Sequence, residues 1–142
     1  MDKKKDLVSK LRTSGLRPTK QRIKLAEFLF NRDKTFHFTV ENLDKAINKK
    51  NSEDKIALAT IYNTVHAFKK AGHLKEILIK EGKSYFDTNT SSHHHFYDEV
   101  NNELTDIENN KIELKKFPTP PRGKSIKDVN VIINIDNDNQ KH

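Results

Sequence analysis

The chain has 142 residues, of which 33% are hydrophobic and another 33% charged, and its formal net charge is +7. This length allows one ordinary domain or two small ones and excludes a large multidomain enzyme. The absence of cysteine excludes disulfides, cysteine nucleophiles and thiolate zinc sites, and no apolar run approaches the roughly 20 residues of a membrane-spanning helix. We therefore expect a cytoplasmic protein without membrane contact, in which any metal ion is bound by nitrogen and oxygen atoms.

Charge is distributed unevenly along the sequence. Residues 1–87 contain 20 Lys and Arg against 11 Asp and Glu, whereas residues 88–142 contain 7 against 9. An excess of lysine is typical of proteins from AT-rich genomes, but positive charge concentrated in one half is also typical of a region that binds a polyanion. We therefore expect only the N-terminal half to contact nucleic acid.

Four segments of the N-terminal half show the apolar spacing of short helices. Thr19 and Thr39 are suitable N-caps for the second and third helix. The predicted buried stripes are Leu7, Val8 and Leu11; Ile23, Ala26, Leu29 and Phe30; Leu43, Ala46 and Ile47; and Leu58, Ile61, Val65 and Phe68. On the fourth helix this leaves Thr60, Tyr62 and Asn63 on other faces.

The hydrophobic period changes after Gly72. Two strand-like runs, residues 74–79 and 85–86, flank a short turn at residues 80–83, which predicts a β-hairpin. Several short helices followed by a hairpin, in a basic segment, is the order of a winged helix-turn-helix. A generic small α+β domain is the alternative at this point.

The C-terminal half predicts a smaller unit. Two runs, 95–100 and 104–107, fit a second hairpin; residues 111–116 fit a short helix; and Val129 to Ile135 alternate as a final strand. About 50 residues are too few to bury a large core alone, so we expect dimerisation. The predicted fold is α+β, with a winged helix over 1–87, a linker over 88–92 and a small α/β dimerisation domain over 93–142.

Three adjacent histidines, His93, His94 and His95, are the least ordinary feature of the sequence. In an extended chain the first and third point to one face and the second to the other. Imidazole is a common ligand of zinc, iron and related ions, so the triplet predicts metal or haem binding, with a solvated loop as the alternative. Nucleophile and nucleotide-binding signatures are missing, and we therefore do not expect an enzyme.

Several motifs resemble those of a known family. Residues 57–65, ALATIYNTV, resemble the recognition-helix segment of the ferric uptake regulator family. Residues 83–89 (KSYFDTN), 93–97 (HHHFY) and 104–107 (LTDI) are similar to the iron response regulator branch of that family. The resemblance extends over roughly residues 5–135. It implies a homodimeric, metal- or haem-responsive transcription regulator, mainly a repressor, of iron and haem genes.

The resemblance also implies which residues meet DNA, expected to be an A/T-rich inverted repeat. It assigns base contacts to Tyr62, with Thr60 and Asn63 nearby, and contacts with the backbone or minor groove to Arg17 and Arg22. Many relatives have Arg at the position of Asn63. Because Asn reads adenine where Arg favours guanine, the target preference of this chain is expected to differ.

The family's regulatory metal site, carried over residue by residue, would bind iron, manganese or zinc. Its ligands here are His37, Asp87, His93, His95 and Asp106. A second family site would use His94, Glu113 and Asp128. Haem is a further candidate ligand, bound through His93, His94 and His95. Two alternatives remain open: a peroxide or zinc sensor on the same scaffold, and a haem- or metal-binding protein whose winged helix contacts other proteins.

Overall fold

A computed structural model describes residues 3–49, 54–80 and 82–138. The chain divides into two compact units, residues 1–90 and 91–142, which we call the N-terminal and C-terminal units. Among the described residues, no helix is both long enough and apolar enough to cross a membrane.

In the N-terminal unit, the described residues form four helices and a three-stranded antiparallel sheet. The helices are α1 (Lys3–Thr13), α2 (Lys20–Phe30), α3 (Val40–Ile47) and α4 (Leu58–Lys70). The strands are β1 (His37–Phe38), β2 (Lys75–Lys80) and β3 (Lys83–Asp87), in the order β1-β3-β2. The winged helix-turn-helix predicted from the sequence is confirmed, with β2 and β3 as the wing.

Two threonines begin helices in the predicted way. Thr19 and Thr39 have extended backbones, and their hydroxyls accept hydrogen bonds from the backbone N–H groups of Arg22 and Asn42. Each bond satisfies one of the amide groups that have no partner inside the helix. The two caps therefore fix where α2 and α3 start.

The buried stripe of α4 is shifted from its prediction. Ile61, Val65 and Phe68 are fully buried, but Leu58 is 47% exposed, so its predicted burial is wrong. Leu58 is the first residue of α4 and extends the stripe beyond the packed part of the helix. Thr64 is buried instead, and its hydroxyl is satisfied because it donates to the carbonyl of Thr60 at 2.7 Å.

Strand β1 was not predicted, because two residues carry no detectable hydrophobic period. It pairs with β3 so that His37 lies opposite Asp87 and Phe38 lies opposite Phe86. The stacked rings of Phe36, Phe38 and Phe86 continue this contact into the core. A two-residue strand thus brings a histidine beside a carboxylate 50 positions away.

The C-terminal unit contains a second three-stranded sheet. Its strands are β4 (His94–Asp98), β5 (Glu103–Ile107) and β6 (Ile132–Ile135), in the order β5-β4-β6. The hairpin of β4 and β5 is antiparallel, as predicted, and β6 pairs with β4 in parallel. The predicted final strand is present but shorter; of the predicted frayed end, 136–142, residues 139–142 lie outside the described residues.

The helix predicted over residues 111–116 is wrong. The segment contains only a 3-10 turn at Asn109–Lys111, and residues 112–131 have no helix or strand. Pro118 disfavours helical backbone at Phe117, and six residues cannot sustain a helix without packing. Leu114 and Phe117 are 41% and 52% exposed, so the described residues do not supply that packing.

Candidate metal centre and nucleic-acid interface

The C-terminal unit brings two histidines to one carboxylate. His95 on β4 lies directly opposite Asp106 on β5, and His93 immediately precedes β4. The Nε2 atoms of His93 and His95 are 3.0 and 3.2 Å from the same Asp106 oxygen, Oδ1. Both rings are buried, and their centroids are 4.4 Å apart. Three candidate ligand atoms therefore converge on one point.

The hydrogen bonding of His93 fixes which of its nitrogens carries a proton. Nδ1 lies 2.9 Å from the carbonyl oxygen of Ser91, which can only accept, so Nδ1–H donates to it. In the neutral ring Nε2 then presents a lone pair to the Asp106 carboxylate. A cation placed between this nitrogen and Asp106 Oδ1 would be bound by both groups.

A divalent cation fits this set. Ligand atoms bound to one ion at about 2.1 Å lie roughly 3 Å apart, close to the separations around Asp106 Oδ1. Metal-binding histidines usually donate their other ring N–H to a carbonyl or carboxylate, as His93 does to Ser91. Imidazole and carboxylate donors without thiolates suit zinc, iron or manganese.

The N-terminal unit holds a second histidine–carboxylate pair. His37 Nε2 on β1 lies 3.1 Å from Asp87 Oδ2 on β3, and Asp87 is fully buried. The other carboxylate oxygen, Oδ1, accepts a hydrogen bond of 2.8 Å from the backbone N–H of Asn89. Burial of a carboxylate is costly unless such partners compensate it. The pair offers one nitrogen and one oxygen ligand.

The structure does not bring the residues of the predicted second metal site together. His94 Nδ1 accepts a hydrogen bond of 3.0 Å from the backbone N–H of Val131, so its Nε2 keeps the ring proton. Glu113 lies 3.9 Å from Lys115, and Asp128 contacts Asn130. Within residues 3–49, 54–80 and 82–138, His94, Glu113 and Asp128 belong to no group of potential metal ligands.

The three histidine rings do not face a common point. His93 and His95 face Asp106, whereas His94 faces the backbone of Val131, as expected for alternating side chains of an extended chain. Haem binding through the triplet stays a prediction.

Helix α4 presents the predicted base-reading side chains. Tyr62 is 37% exposed, Asn63 is exposed and Thr60 is half-buried. The Tyr62 hydroxyl donates a hydrogen bond of 3.2 Å to Glu41 Oε1 on α3, and its ring stacks on His66. This hydrogen bond and the negative charge of Glu41 raise the pKa of Tyr62. Sequence reasoning did not single out Glu41 as a functional residue. An acidic residue in the first turn of a helix is already expected, because it interacts favourably with the helix dipole.

The two predicted arginines lie near the start of α2, with Arg22 in its first turn and Arg17 three residues before the helix. Arg22 Nη1 donates to the carbonyl of Arg17 at 3.2 Å, and the Arg17 side chain is exposed. Lys69 at the end of α4 lies 2.6 Å from Glu76 on β2, which connects the helix to the wing. These contacts hold the side chains of Arg22 and Lys69 at defined positions on the N-terminal unit.

Comparisons with known proteins agree with this architecture. The sequence profile of the Ferric uptake regulator family matches residues 13–134. The "Peroxide operon regulator" of Bacillus subtilis (strain 168) is 33% identical over 91 residues, which are 64% of this chain and 60% of that protein. The match therefore spans about three fifths of the relative's length.

Two solved structures share the fold. The Vibrio cholerae ferric uptake regulator aligns with a TM-score of 0.68 at 21% identity, covering 91% of this chain and 98% of that one. The ferric uptake regulator of Pseudomonas aeruginosa, solved with manganese, aligns with a TM-score of 0.65 at 22% identity, covering 92% and 97%.

Proposed function

Since this chain belongs to the ferric uptake regulator family, we propose that it is a metal-responsive transcription regulator that binds DNA, and not an enzyme. The observation that carries the proposal is the ligand set around Asp106, where two imidazole Nε2 atoms face one carboxylate oxygen. Imidazole and carboxylate atoms this close together could bind one divalent cation, so the set suits a metal sensor. We place this regulator in the cytoplasm, where its DNA target lies.

The proposed regulatory site takes its ligands from both units. Neither set is a complete shell alone, since the N-terminal unit offers two ligands and the C-terminal unit three. Together they offer five nitrogen and oxygen ligands, donor types that suit zinc, iron or manganese. The proposed ligands are His37, Asp87, His93, His95 and Asp106.

The proposed response follows from that division of ligands. A bound ion would supply positive charge beside the carboxylates of Asp87 and Asp106. Because the proposed ligands stand on either side of the proposed linker at residues 88–92, sharing one ion would restrict the orientation of the winged helix. Metal binding can then change the affinity for DNA. The size of this change is limited by the difference between the ion's binding free energies in the alternative orientations.

We propose that α4 enters the major groove. The exposed side chains of Tyr62 and Asn63, with Thr60 beside them, would face the base edges. Asn63 can donate and accept hydrogen bonds with adenine, which supports an A/T-rich target. Arg17 and Arg22 would contact phosphates or the minor groove. The surplus of Lys and Arg in residues 1–87 supports binding of this half to a polyanion.

We propose that the regulator is a homodimer that reads an inverted repeat. Strand β6 is at an edge of its sheet, and Ile133 and Ile135 on it are 39% and 38% exposed. An edge strand with exposed apolar side chains is a surface suited to pairing with another chain. A two-fold dimer presents two recognition helices to two half-sites, and the target is then a palindrome.

The test is DNA binding with controlled metal content. We expect the manganese-loaded protein to select an A/T-rich palindrome from a random duplex library, and chelation to change its affinity for the selected duplex. Failure to prefer any duplex over random DNA at moderate salt would contradict DNA-sequence recognition. Specific binding that ignores metal would contradict the sensor.

A second candidate is peroxide sensing on the same scaffold. The 33% identity to the Bacillus subtilis peroxide operon regulator supports it. Because ferrous iron reacts with peroxide and divalent manganese does so far less readily, peroxide should release DNA from the iron-loaded protein only. An equal response of both forms, or none, would contradict this candidate.

The iron response regulator assignment, with iron and haem genes as targets and haem as ligand, remains a narrower proposal. It rests on the His93–His95 triplet and the sequence around it. A Soret band that appears when haem is added to the wild-type protein and is absent from a His93→Ala/His95→Ala variant would support it. An unchanged band in that variant would contradict binding through these histidines.

A further inference from the structure

A carboxylate lies beside the side chain proposed to read bases. Glu41 is exposed in the first turn of α3, and its Oε1 accepts the hydrogen bond from the Tyr62 hydroxyl at 3.2 Å. DNA phosphates repel a carboxylate, so an acid at this face weakens binding to every duplex. Glu41 therefore needs a compensating role if α4 enters a DNA groove.

The contacts of Tyr62 indicate that role. The Tyr62 hydroxyl is held by Glu41, and the face of the Tyr62 ring stacks on the His66 ring. The centroids of these two rings are 6.0 Å apart, and their planes differ by 13°. The His66 ring in turn contacts Phe86 of β3 edge-on at 5.8 Å. Three elements, α3, α4 and β3, thus hold the orientation of one exposed tyrosine.

We propose that Glu41 is a positioning residue that sets DNA sequence specificity through Tyr62. The inference rests on the proposed function. Glu41 acts in two ways: it holds the Tyr62 ring in one orientation before DNA arrives, and its charge lowers affinity for DNA of any sequence. The first effect raises the ratio of specific to non-specific affinity, and the second weakens binding to every duplex without changing that ratio.

The first experiment measures that ratio with a double-mutant cycle. The probes are the duplex selected by the manganese-loaded wild-type protein and a scrambled duplex of equal composition. We expect Glu41→Ala and Tyr62→Phe each to lower the affinity ratio about tenfold. In the double variant we expect no loss beyond that of Tyr62→Phe, because Glu41 acts through the hydroxyl.

Two variants separate charge from positioning. Glu41→Gln removes the charge but keeps an oxygen that can accept from Tyr62, so it should raise affinity for the scrambled duplex while retaining most of the preference. Glu27→Gln makes the same charge change at an exposed position of α2 and should leave the ratio unchanged. Thermal unfolding of each variant shows whether the fold is retained.

The second experiment needs no DNA. Tyrosinate absorbance during alkaline titration, with Tyr62→Phe subtracted, reports the pKa of Tyr62. Glu41→Ala should lower that pKa toward the ordinary value of 10.0, because it removes the hydrogen bond and the charge that raise it. An unchanged pKa would show that the contact is absent and would overturn the inference.

The outcomes distinguish the two claims. Additive losses in the cycle would show that Glu41 acts on DNA directly and would overturn its positioning role while leaving the proposed function intact. A wild-type protein that does not discriminate the two duplexes would overturn the proposed function and this inference with it.

Discussion

Two neighbouring histidines carry their protons on different nitrogens because each ring faces a different backbone group. His93 Nδ1–H donates to the Ser91 carbonyl, which directs its Nε2 lone pair at Asp106. His94 Nδ1 accepts from the Val131 N–H, which leaves the proton on Nε2. The first arrangement suits a metal ligand and the second does not.

We therefore predict that His93→Ala lowers manganese affinity by more than about 100-fold, since loss of a direct ligand exceeds the 10- to 100-fold cost of losing an outer partner. The manganese affinity of His94→Ala should stay within a few-fold of the wild-type value. Its free energy of unfolding should fall by about 1 kcal/mol, because the Val131 N–H loses its acceptor. Isothermal titration and urea unfolding measure the two effects. Equal losses of metal affinity in the two variants would contradict the assignment.

A second residue-scale prediction concerns pH. Lys69 and then Ser84 hydrogen-bond to Glu76, and together with the charges of Lys69 and His66 they hold the pKa of Glu76 below its ordinary 4.5. A pKa lower in the folded state stabilises the fold above the unfolded-state value, and the contribution is lost as pH falls through the folded-state value.

Glu76→Gln should therefore destabilise the protein at neutral pH, by less than about 1 kcal/mol because water screens the partly exposed pair. In acid, where Glu76 is protonated in both states, the variant and the wild type should be equally stable. Urea unfolding at the two pH values checks this. A destabilisation of equal size in acid would assign the effect to packing instead of charge.

At the scale of elements, Asn48 joins α3 to the chain that leads into α4. Its side-chain amide donates to the Ile56 carbonyl and its Oδ1 accepts from the Ile56 N–H, both at 2.7 Å. These two bonds fix the spacing of the helices on which the recognition surface depends. Asn48 is also the C-cap of α3.

We predict that Asn48→Ala lowers the free energy of unfolding by about 2 kcal/mol, because two backbone groups of Ile56 lose their partners. Asn42→Ala, on the exposed side of the same helix, should change it by less than about 0.5 kcal/mol. Urea denaturation of both variants measures the difference. Equal stabilities would show that water replaces Asn48 without cost.

Helices and strands could be predicted from the sequence where the hydrophobic periodicity is clear or an N-cap residue marks the start of a helix. Thr39 and the stripe through Leu43 and Ile47 define α3, since both signals agree. The residues at 111–116 are of types suited to a helix, but Leu114 is left 41% exposed by the described part of the chain. Strand β1 is the opposite case, because its two residues are held by pairing with β3 and leave no local signal.

At the scale of the whole molecule, the proposed metal ligands within each unit come together through strand pairing. His37 and Asp87 are 50 positions apart and His95 and Asp106 are 11 apart, yet each pair is directly opposed across two antiparallel strands. The lack of cysteine limited the possible metal ligands to nitrogen and oxygen atoms. The alternation of side chains along an extended chain predicted that His93 and His95 point to the same face. The partners of these rings could not be predicted from the residues alone, because they depend on strand register; family resemblance named them.

The central claim is that one divalent cation takes ligands from both units. Electron spin-echo spectroscopy of the manganese-loaded, full-length protein counts the imidazole nitrogens bound to the ion. We predict three coordinated imidazoles in the wild type, from His37, His93 and His95, and two in His37→Ala, with His94→Ala unchanged from the wild type. An identical count in His37→Ala and the wild type would contradict the claim, because the ion would then be held without the histidine of the N-terminal unit.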